Sequence, residues 1–352
     1  MMKVGIFDPY LDTLGGGERY MMTVAEWLAD LGHKVDVFWN EKSLKKDIKV
    51  RLGLNLGKTE FVEDIFSSKR NLFKKWQITK KYDLFFYLSD GSVPLLLARK
   101  NILHFQVPFH QVGGRSFLNR IKQKQIKTTV CNSKFTKKFI DKEYGVKSLV
   151  IYPPVSVEKF KPGKKENIIL SVGRFTDVLH KKRQDVLVEV FKKLVDKDLN
   201  GWQLVLVGSD KEGKKLISKI KKAISGYPVK IKTNVSFVEL QKLYAQAKIF
   251  WTAAGFGVDE DEHPEQVEHF GMTTVEAMAA GCVPVVINKG GQKEIVDQGQ
   301  NGFLWQNKEE LIKLTLGLIK DESFLRNLSR AAIKKSKNYS LERFYEAFEK
   351  II

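Results

Sequence analysis

Glu268 and Glu276 stand in the stretch EHFGMTTVEAMAAG, residues 268–281. Glu268 lies in a loop that runs into Phe270-Gly271, and a helix of good helix formers follows, closed by Gly281. Glu276 falls about one turn inside that helix. Its start, at Gly271, Met272 and Thr273, presents backbone N–H groups and the positive end of the helix dipole, which is a ready anion site. The two carboxylates beside it can each accept hydrogen bonds from vicinal hydroxyls. The arrangement suits a phosphate flanked by two polyols, and a nucleotide sugar has that layout.

Loss of a nucleoside diphosphate leaves negative charge on the departing phosphate. Fixed cations aimed at that oxygen stabilise the transition state without reorganisation. Arg174 follows an apolar strand and Gly173, and Lys182 sits near the expected start of the next helix. Both are placed for this role.

The set Glu268, Phe270-Gly271, Glu276-Ala277-Met278-Ala279, Gly281 and Pro284-Val285 closely resembles the donor-site motif of GT-B glycosyltransferases of family 4, the retaining group. Members of that family carry G-R-[FL], a few residues, then K-G. This chain reads GRFTDVLHKKRQDVL from Gly173, with a longer loop and Arg183 where the glycine is expected. The choice of Lys182 rests on the match of the following Asp185 and Leu187 to this resemblance, and Lys181 stays as the alternative. The resemblance implies an α/β GT-B fold: two Rossmann-like domains with parallel sheets facing across a cleft. Residues 1–155 would bind the acceptor and 165–338 the nucleotide sugar, with a helix in 339–352 crossing back to the N-terminal domain.

It further implies a hexosyltransferase in which Arg174, Lys182, Glu268 and His104 serve catalysis. The donor would be held by Gly16, Gly17, Gly173, Gly208, Phe270, Gly271, Met272, Thr273 and Glu276, together with Arg174 and Lys182. His104 and His110, after a buried strand, stand where the resembling enzymes place a histidine against the donor sugar or acceptor region. GDP-mannose is the first choice of donor, because Glu268-His269-Phe270-Gly271 is common among mannosyltransferases; UDP-glucose, UDP-galactose and UDP-N-acetylglucosamine are the alternatives. Enzymes of this class use front-face departure and attack, with no carboxylate nucleophile and no metal cofactor. Asp259-Glu260-Asp261-Glu262 contains the D-x-D of a different glycosyltransferase fold and reads as a solvated acidic loop.

The elements that must position these residues alternate. Lys3–Phe7, Lys34–Trp39, Asp83–Leu88, Asn101–Val107 and Thr128–Cys131 read as strands. A helix opens at Gly15-Gly16-Gly17, and another opens with Ser133 as N-cap. Residues 42–82 read as lysine-rich with weak strands. Prolines, a basic run and the loss of periodicity over 150–154 and 155–165 suggest a domain boundary and linker. The second half restarts with strands at 168–172, 202–207, 229–231, 249–252 and 283–287, with helices at 182–194, 214–225 and 238–247. Alternating strands and helices predict parallel sheets covered on both faces, with ligands at the carboxyl ends of the strands.

Composition bounds the rest. The chain has 352 residues, 43% of them hydrophobic and 29% charged, with a formal net charge of +19. That is enough for two ordinary domains. Two cysteines in apolar contexts imply no disulfide framework, and a cytoplasmic protein fits. The basic excess suits an anionic membrane surface, an anionic substrate or nucleic acid. Residues 68–81 and 116–127 interleave basic and apolar residues, as peripheral segments on anionic lipid do. A glycan or lipid-linked acceptor at the inner leaflet is therefore expected, and no nucleic acid, because nucleic-acid binding leaves Glu268 and Glu276 unexplained. A nicotinamide dehydrogenase would need G-x-G-x-x-G after the first strand; residues 13–20 lack it, although Asp36 could mimic the ribose-binding acid.

Overall fold

The computed structural model describes residues 1–66, 72–176 and 181–352. They divide into two compact units, one of residues 1–154 with 342–352 and one of residues 155–341.

The first unit is built on a parallel sheet of β1 (Lys3–Phe7), β2 (Lys34–Phe38), β3 (Glu60–Val62), β4 (Leu84–Leu88), β5 (Lys100–Phe105), β6 (Thr128–Cys131) and β7 (Leu149–Val150). The strand order is β3-β2-β1-β4-β5-β6-β7. The central strands are apolar on both faces because both are covered. Val4, Ile6, Leu84 and Phe86 face one core, and Phe7, Phe38, Phe85 and Phe105 the other. Helix α1 (Gly16–Asp30) is covered nearly all round: residues 20–25 are buried without a break, as are Trp27, Leu28 and Ala29.

Residues 42–82, expected to carry weak strands, instead hold α2 (Leu44–Leu52), the short β3 and α3 (Leu72–Thr79). Leu44, Ile48 and Leu52 recur every four residues and are all buried, and Gly53 ends the helix in the left-handed region at φ 72°. That helical spacing outweighs the lysines around it. Of the basic stretch 68–81, residues 68–71 lie outside the described residues. Helix α4 (Phe117–Gln123) buries none of its residues. Helix α5 (Lys134–Tyr144) is capped by Ser133, whose hydroxyl accepts from the Thr136 N–H at 3.0 Å.

The second unit orders its strands β10-β9-β8-β11-β12-β13, all parallel. They are β8 (Glu166–Val172), β9 (Gln203–Gly208), β10 (Val229–Thr233), β11 (Ala247–Thr252), β12 (Val283–Ile287) and β13 (Phe303–Trp305). Helices α6 (Gln184–Val195), α7 (Lys214–Ala223), α8 (Phe237–Gln246), α9 (Met272–Ala279), α10 (Gln292–Ile295), α11 (Lys308–Lys320) and α12 (Glu322–Ser336) cover the sheet. Residues 155–165, expected as a linker, are packed into this unit. Val155 pairs with Ser340, and Phe160 is buried edge-on to Phe237 and Tyr244.

The last helix, α13 (Leu341–Glu349), returns to the first unit. Phe344 and Phe348 pack on Tyr20 with ring centroids at 4.9 and 5.9 Å, and Tyr345 stacks on Trp27 at 5.2 Å. Among the described residues no helix is long and apolar enough to cross a membrane.

Candidate active site

The site is assembled at the carboxyl ends of β8, β9 and β11. Beyond β8 the chain stays close to β9: the Gly173 N–H donates to the Val207 carbonyl at 2.8 Å and the Phe175 N–H to the Ser209 carbonyl at 3.0 Å. The approach is tight enough to require glycine. A Cβ on Gly208 would sit 2.0 Å from the Gly173 carbonyl oxygen, and one on Gly173 would sit 2.8 Å from Cγ of Lys182. The Lys182 stem therefore lies over Gly173, while Arg174 is exposed at the loop tip. Gln184, which is buried, holds this loop from α6 by donating to the carbonyls of Gly173 at 3.1 Å and Arg174 at 3.2 Å.

Helix α6 begins at Gln184, so Lys182 precedes it instead of lying in its first turn. Arg183 is the N-cap, in the left-handed region at φ 52°, ψ 43°. Glycine reaches that region without steric cost, which accounts for glycine following the lysine in the resembling family. Arg183 is held there by its guanidinium, which donates to the Phe256 carbonyl at 2.7 Å and to both carboxylate oxygens of Asp185. With Arg183 so fixed, Lys182 reaches Glu268 and Lys181 is exposed. Residues 177–180 of the long loop lie outside the described residues.

After β11 the chain crosses residues 253–267 and delivers Glu268. Lys182 Nζ lies 2.6 Å from Glu268 Oε2, with both side chains 22% exposed. The backbone at Glu268 is pinned by the turn after β12. The Gly291 N–H donates to the Glu268 carbonyl at 2.8 Å, and Cβ atoms on Gly290 or Gly291 would collide with the carbonyls of Glu268 and His269 at 2.1 and 2.4 Å. Phe270 is buried against Tyr339, with ring centroids 5.3 Å apart.

Gly271 then turns the chain at φ 115° into α9, where a Cβ would meet Gln292 Nε2 at 2.6 Å. The first bond inside α9 comes from the Thr274 N–H, so the amides of Met272 and Thr273 stand at the open end of the helix. Glu276, 7% exposed, accepts a hydrogen bond from the hydroxyl of the fully buried Tyr244 at 3.0 Å. Thr274 donates to buried Gln292 at 2.9 Å, which braces the same turn. Glu268, Glu276, Lys182, Gly173 and the start of α9 are thus brought to one end of one sheet. That end offers a cation, two carboxylates and open amides.

The acidic loop is not merely solvated. The carboxylate of Glu260 accepts from the Gly290 N–H at 2.6 Å and pairs with Lys293, while Asp259 caps the Asp261 and Glu262 amides. The loop clamps the turn that backs Glu268.

In the first unit, Gly16 is exposed in the first turn of α1. A Cβ on Gly17 would lie 2.2 Å from Gln106 Oε1, so any side chain there would have to displace the Gln106 amide. Gln106 in turn donates to the Gly17 carbonyl at 3.0 Å. His110 is half-buried near Phe139.

His104 departs from expectation. It has no exposed surface, and its Nδ1 lies 3.2 Å from the Val130 carbonyl. The ring stacks on Tyr20 at 4.1 Å and lies 5.6 Å from Phe86. Burial pushes its pKa down to about 3, so the ring is neutral at physiological pH. Its position in β5 turns the side chain into the core under α1, against Tyr20 and Phe86.

Sequence reasoning did not single out Gln184, Tyr244 or Gln292, and it read Glu260 only as part of a solvated loop. Each acts on a residue that is distant in sequence or on a backbone group, which no local pattern marks.

Comparison with known proteins identifies the family and the fold. The family model "Glycosyl transferases group 1" matches residues 155–335, and "Glycosyltransferase Family 4" matches residues 14–159. An uncharacterized glycosyltransferase of Haemophilus influenzae is 27% identical over 100% of both chains. A GDP-Man:Man(3)GlcNAc(2)-PP-Dol alpha-1,2-mannosyltransferase of Xenopus laevis is 32% identical over 44% of this chain and 33% of its own. Among solved structures, a glycosyltransferase of Rickettsia africae superposes with a TM-score of 0.79 at 21% identity, covering 99% of this chain and 97% of its own. The Anabaena protein HepE, solved with UDP and glucose, gives 0.75 at 17% identity over 99% of each chain. With both halves matched by these models and the Rossmann-like units in place, the chain is a GT-B glycosyltransferase belonging to the glycosyl transferases group 1 family.

Proposed function

We propose that this enzyme transfers mannose from GDP-mannose, with retention of configuration and without a resident metal, to a glycan or lipid-linked acceptor at the cytoplasmic face of a membrane. The observation that carries the reading is the Lys182–Glu268 contact at 2.6 Å beside the open end of α9. It sets a cation for diphosphate next to an acceptor for sugar hydroxyls, as the two ends of one donor require. Lys182, Arg174 and the Met272 and Thr273 amides take the phosphate charge that builds up as the sugar departs. Glu268 and Glu276 accept from the hydroxyls of sugar and ribose. Front-face attack lets the leaving phosphate take the acceptor proton, so no protein base is assigned.

The choice of mannose is supported by Glu268-His269-Phe270-Gly271 and by the partial likeness to a GDP-mannose-dependent enzyme. UDP-sugars of glucose, galactose or N-acetylglucosamine are the second reading.

Melting of the purified protein with GDP, UDP, ADP or NAD tests the class. A nucleotide at a hundredfold excess over its Kd adds about 2.7 kcal/mol to stability. GDP is expected to give the largest rise, and Glu276→Ala is expected to abolish transfer while leaving the fold intact. A rise with UDP alone would replace the donor. A rise with NAD alone, or unchanged transfer by the variant, would overturn the site.

A further inference from the structure

Among the described residues of the first unit, large apolar side chains gather outside any core at helix α4. Phe117 is 77% exposed, Leu118 67% and Ile121 45%, and Val112 just before the helix is 47% exposed. Positions 117, 118 and 121 share one helical face. The loop that leads in is rigid: the Glu143 carboxylate accepts from the N–H groups of Gln111, Val112 and Gly114 at 2.9, 3.1 and 2.9 Å. Burial raises the pKa of Glu143, but those amides outweigh it and hold the carboxyl below its usual range, so its charge is spent on the backbone.

The surroundings are cationic. From Gly91 to Ile140 the chain has ten basic residues and no acidic one. Arg115, Arg120, Lys124 and Lys127 are exposed around the apolar face. Beside α4 a groove of about 390 Å³ is lined by Arg115, Arg120, Gln123, Tyr144 and Gly145, and a second of about 370 Å³ lies past Gln123 with Lys127 and Lys147 on its rim.

We infer that α4 docks the protein on an anionic phospholipid surface. Phe117, Leu118 and Ile121 enter the headgroup–acyl boundary, and the Arg115–Arg120 groove takes a lipid phosphate. The shape and charge select this occupant. The apolar face is convex, so a fluid bilayer accommodates it where a protein partner would need a matching groove. Its rim is cationic, so two copies of this face repel each other, while anionic headgroups attract it. The inference deepens the membrane placement proposed above but does not depend on the donor assignment, because it concerns another element and is read by vesicle binding alone.

The full chain is sedimented with vesicles of phosphatidylcholine alone and with about one third phosphatidylglycerol, from about 0.1 M to about 0.5 M salt. Binding is expected to be at least about tenfold tighter on the anionic vesicles and to weaken as salt rises. The triple change Phe117→Ser, Leu118→Ser, Ile121→Ser should remove binding with melting unchanged, since these side chains support no core. Arg115→Gln with Arg120→Gln should lower affinity and flatten the salt dependence. Equal binding to both vesicle types, full binding by the triple variant, or a wild-type dimer that the triple variant converts to monomer would overturn the proposal.

Discussion

Replacing His104 with Leu separates a core role from a role at the substrate. In the unfolded chain an imidazole takes a proton below about pH 6.5. In the folded protein, burial among Tyr20, Phe86 and the sheet delays protonation to about pH 3. Between those values the unfolded state binds more protons, so stability is full above pH 6.5 and falls as acid is added. At pH 4 the unfolded chain has gained about two and a half pH units of protonation free energy that the folded one has not. At roughly 1.4 kcal/mol per unit, this is a loss of about 3 kcal/mol. Leu cannot titrate, so its packing cost appears equally at all pH values and cancels in the comparison. Hydrogen exchange of the β5 amides, corrected for intrinsic rates, reads the free energy of this unit at pH 7 and pH 4. The wild type should lose about 3 kcal/mol more than the variant over that interval. The variant should also keep transfer activity within a few-fold at neutral pH. An identical acid loss in both proteins would refute the buried neutral imidazole. A folded variant without activity would put His104 back at the substrate.

Two further outcomes follow from the second unit. Tyr244→Phe removes the hydroxyl that orients Glu276; a hydrogen bond to a charged group contributes about 1.5–3 kcal/mol, so the donor KM should rise by about tenfold or more while Glu268 and Lys182 keep kcat closer to wild type. Steady-state kinetics would sink the idea if KM were unchanged. Lys165 donates to the carbonyls of Ala247 at 2.8 Å and Ala280 at 2.7 Å, the C-terminal caps of α8 and α9. Lys165→Met should cost about 2–3 kcal/mol in urea unfolding, because two helix ends lose a cation and a donor. A loss below about 0.5 kcal/mol would show the amine to be dispensable.

The parts of the fold written in short-range patterns were legible. The strands at 84–88, 128–131 and 283–287 are continuous apolar runs, and Ser133 and Gly281 mark helix ends by residue type alone. The motif at Glu268–Gly281 is a contiguous stretch, so its loop, its glycine turn and its helix could be placed without tertiary information. Three features were not legible, for physical reasons. The every-fourth-residue spacing of Leu44, Ile48 and Leu52 was hidden among lysines. His104 lies in an apolar strand in either role, and only its burial against Tyr20 tells the two apart. Residues 155–165 have a linker's composition, yet Phe160 finds a pocket made by Phe237 and Tyr244, eighty residues away. Lys182 was chosen over Lys181 on the Asp185 and Leu187 that follow it, but the left-handed backbone at Arg183 that goes with its reach to Glu268 has no mark in the sequence.

The return of α13 to the first unit has a bearing on how the chain is made. The second unit is one continuous segment, whereas the first needs residues 342–352 to cover Tyr20, Trp27 and Phe86. A ribosome delivers the N-terminal segment first, at about 5–20 residues per second. The first unit to emerge is therefore the last to be finished. For the time it takes to translate residues 155–341, roughly ten to forty seconds at those rates, its aromatic face stays uncovered. Chaperone demand during synthesis should fall on the half of the molecule that the ribosome releases earliest.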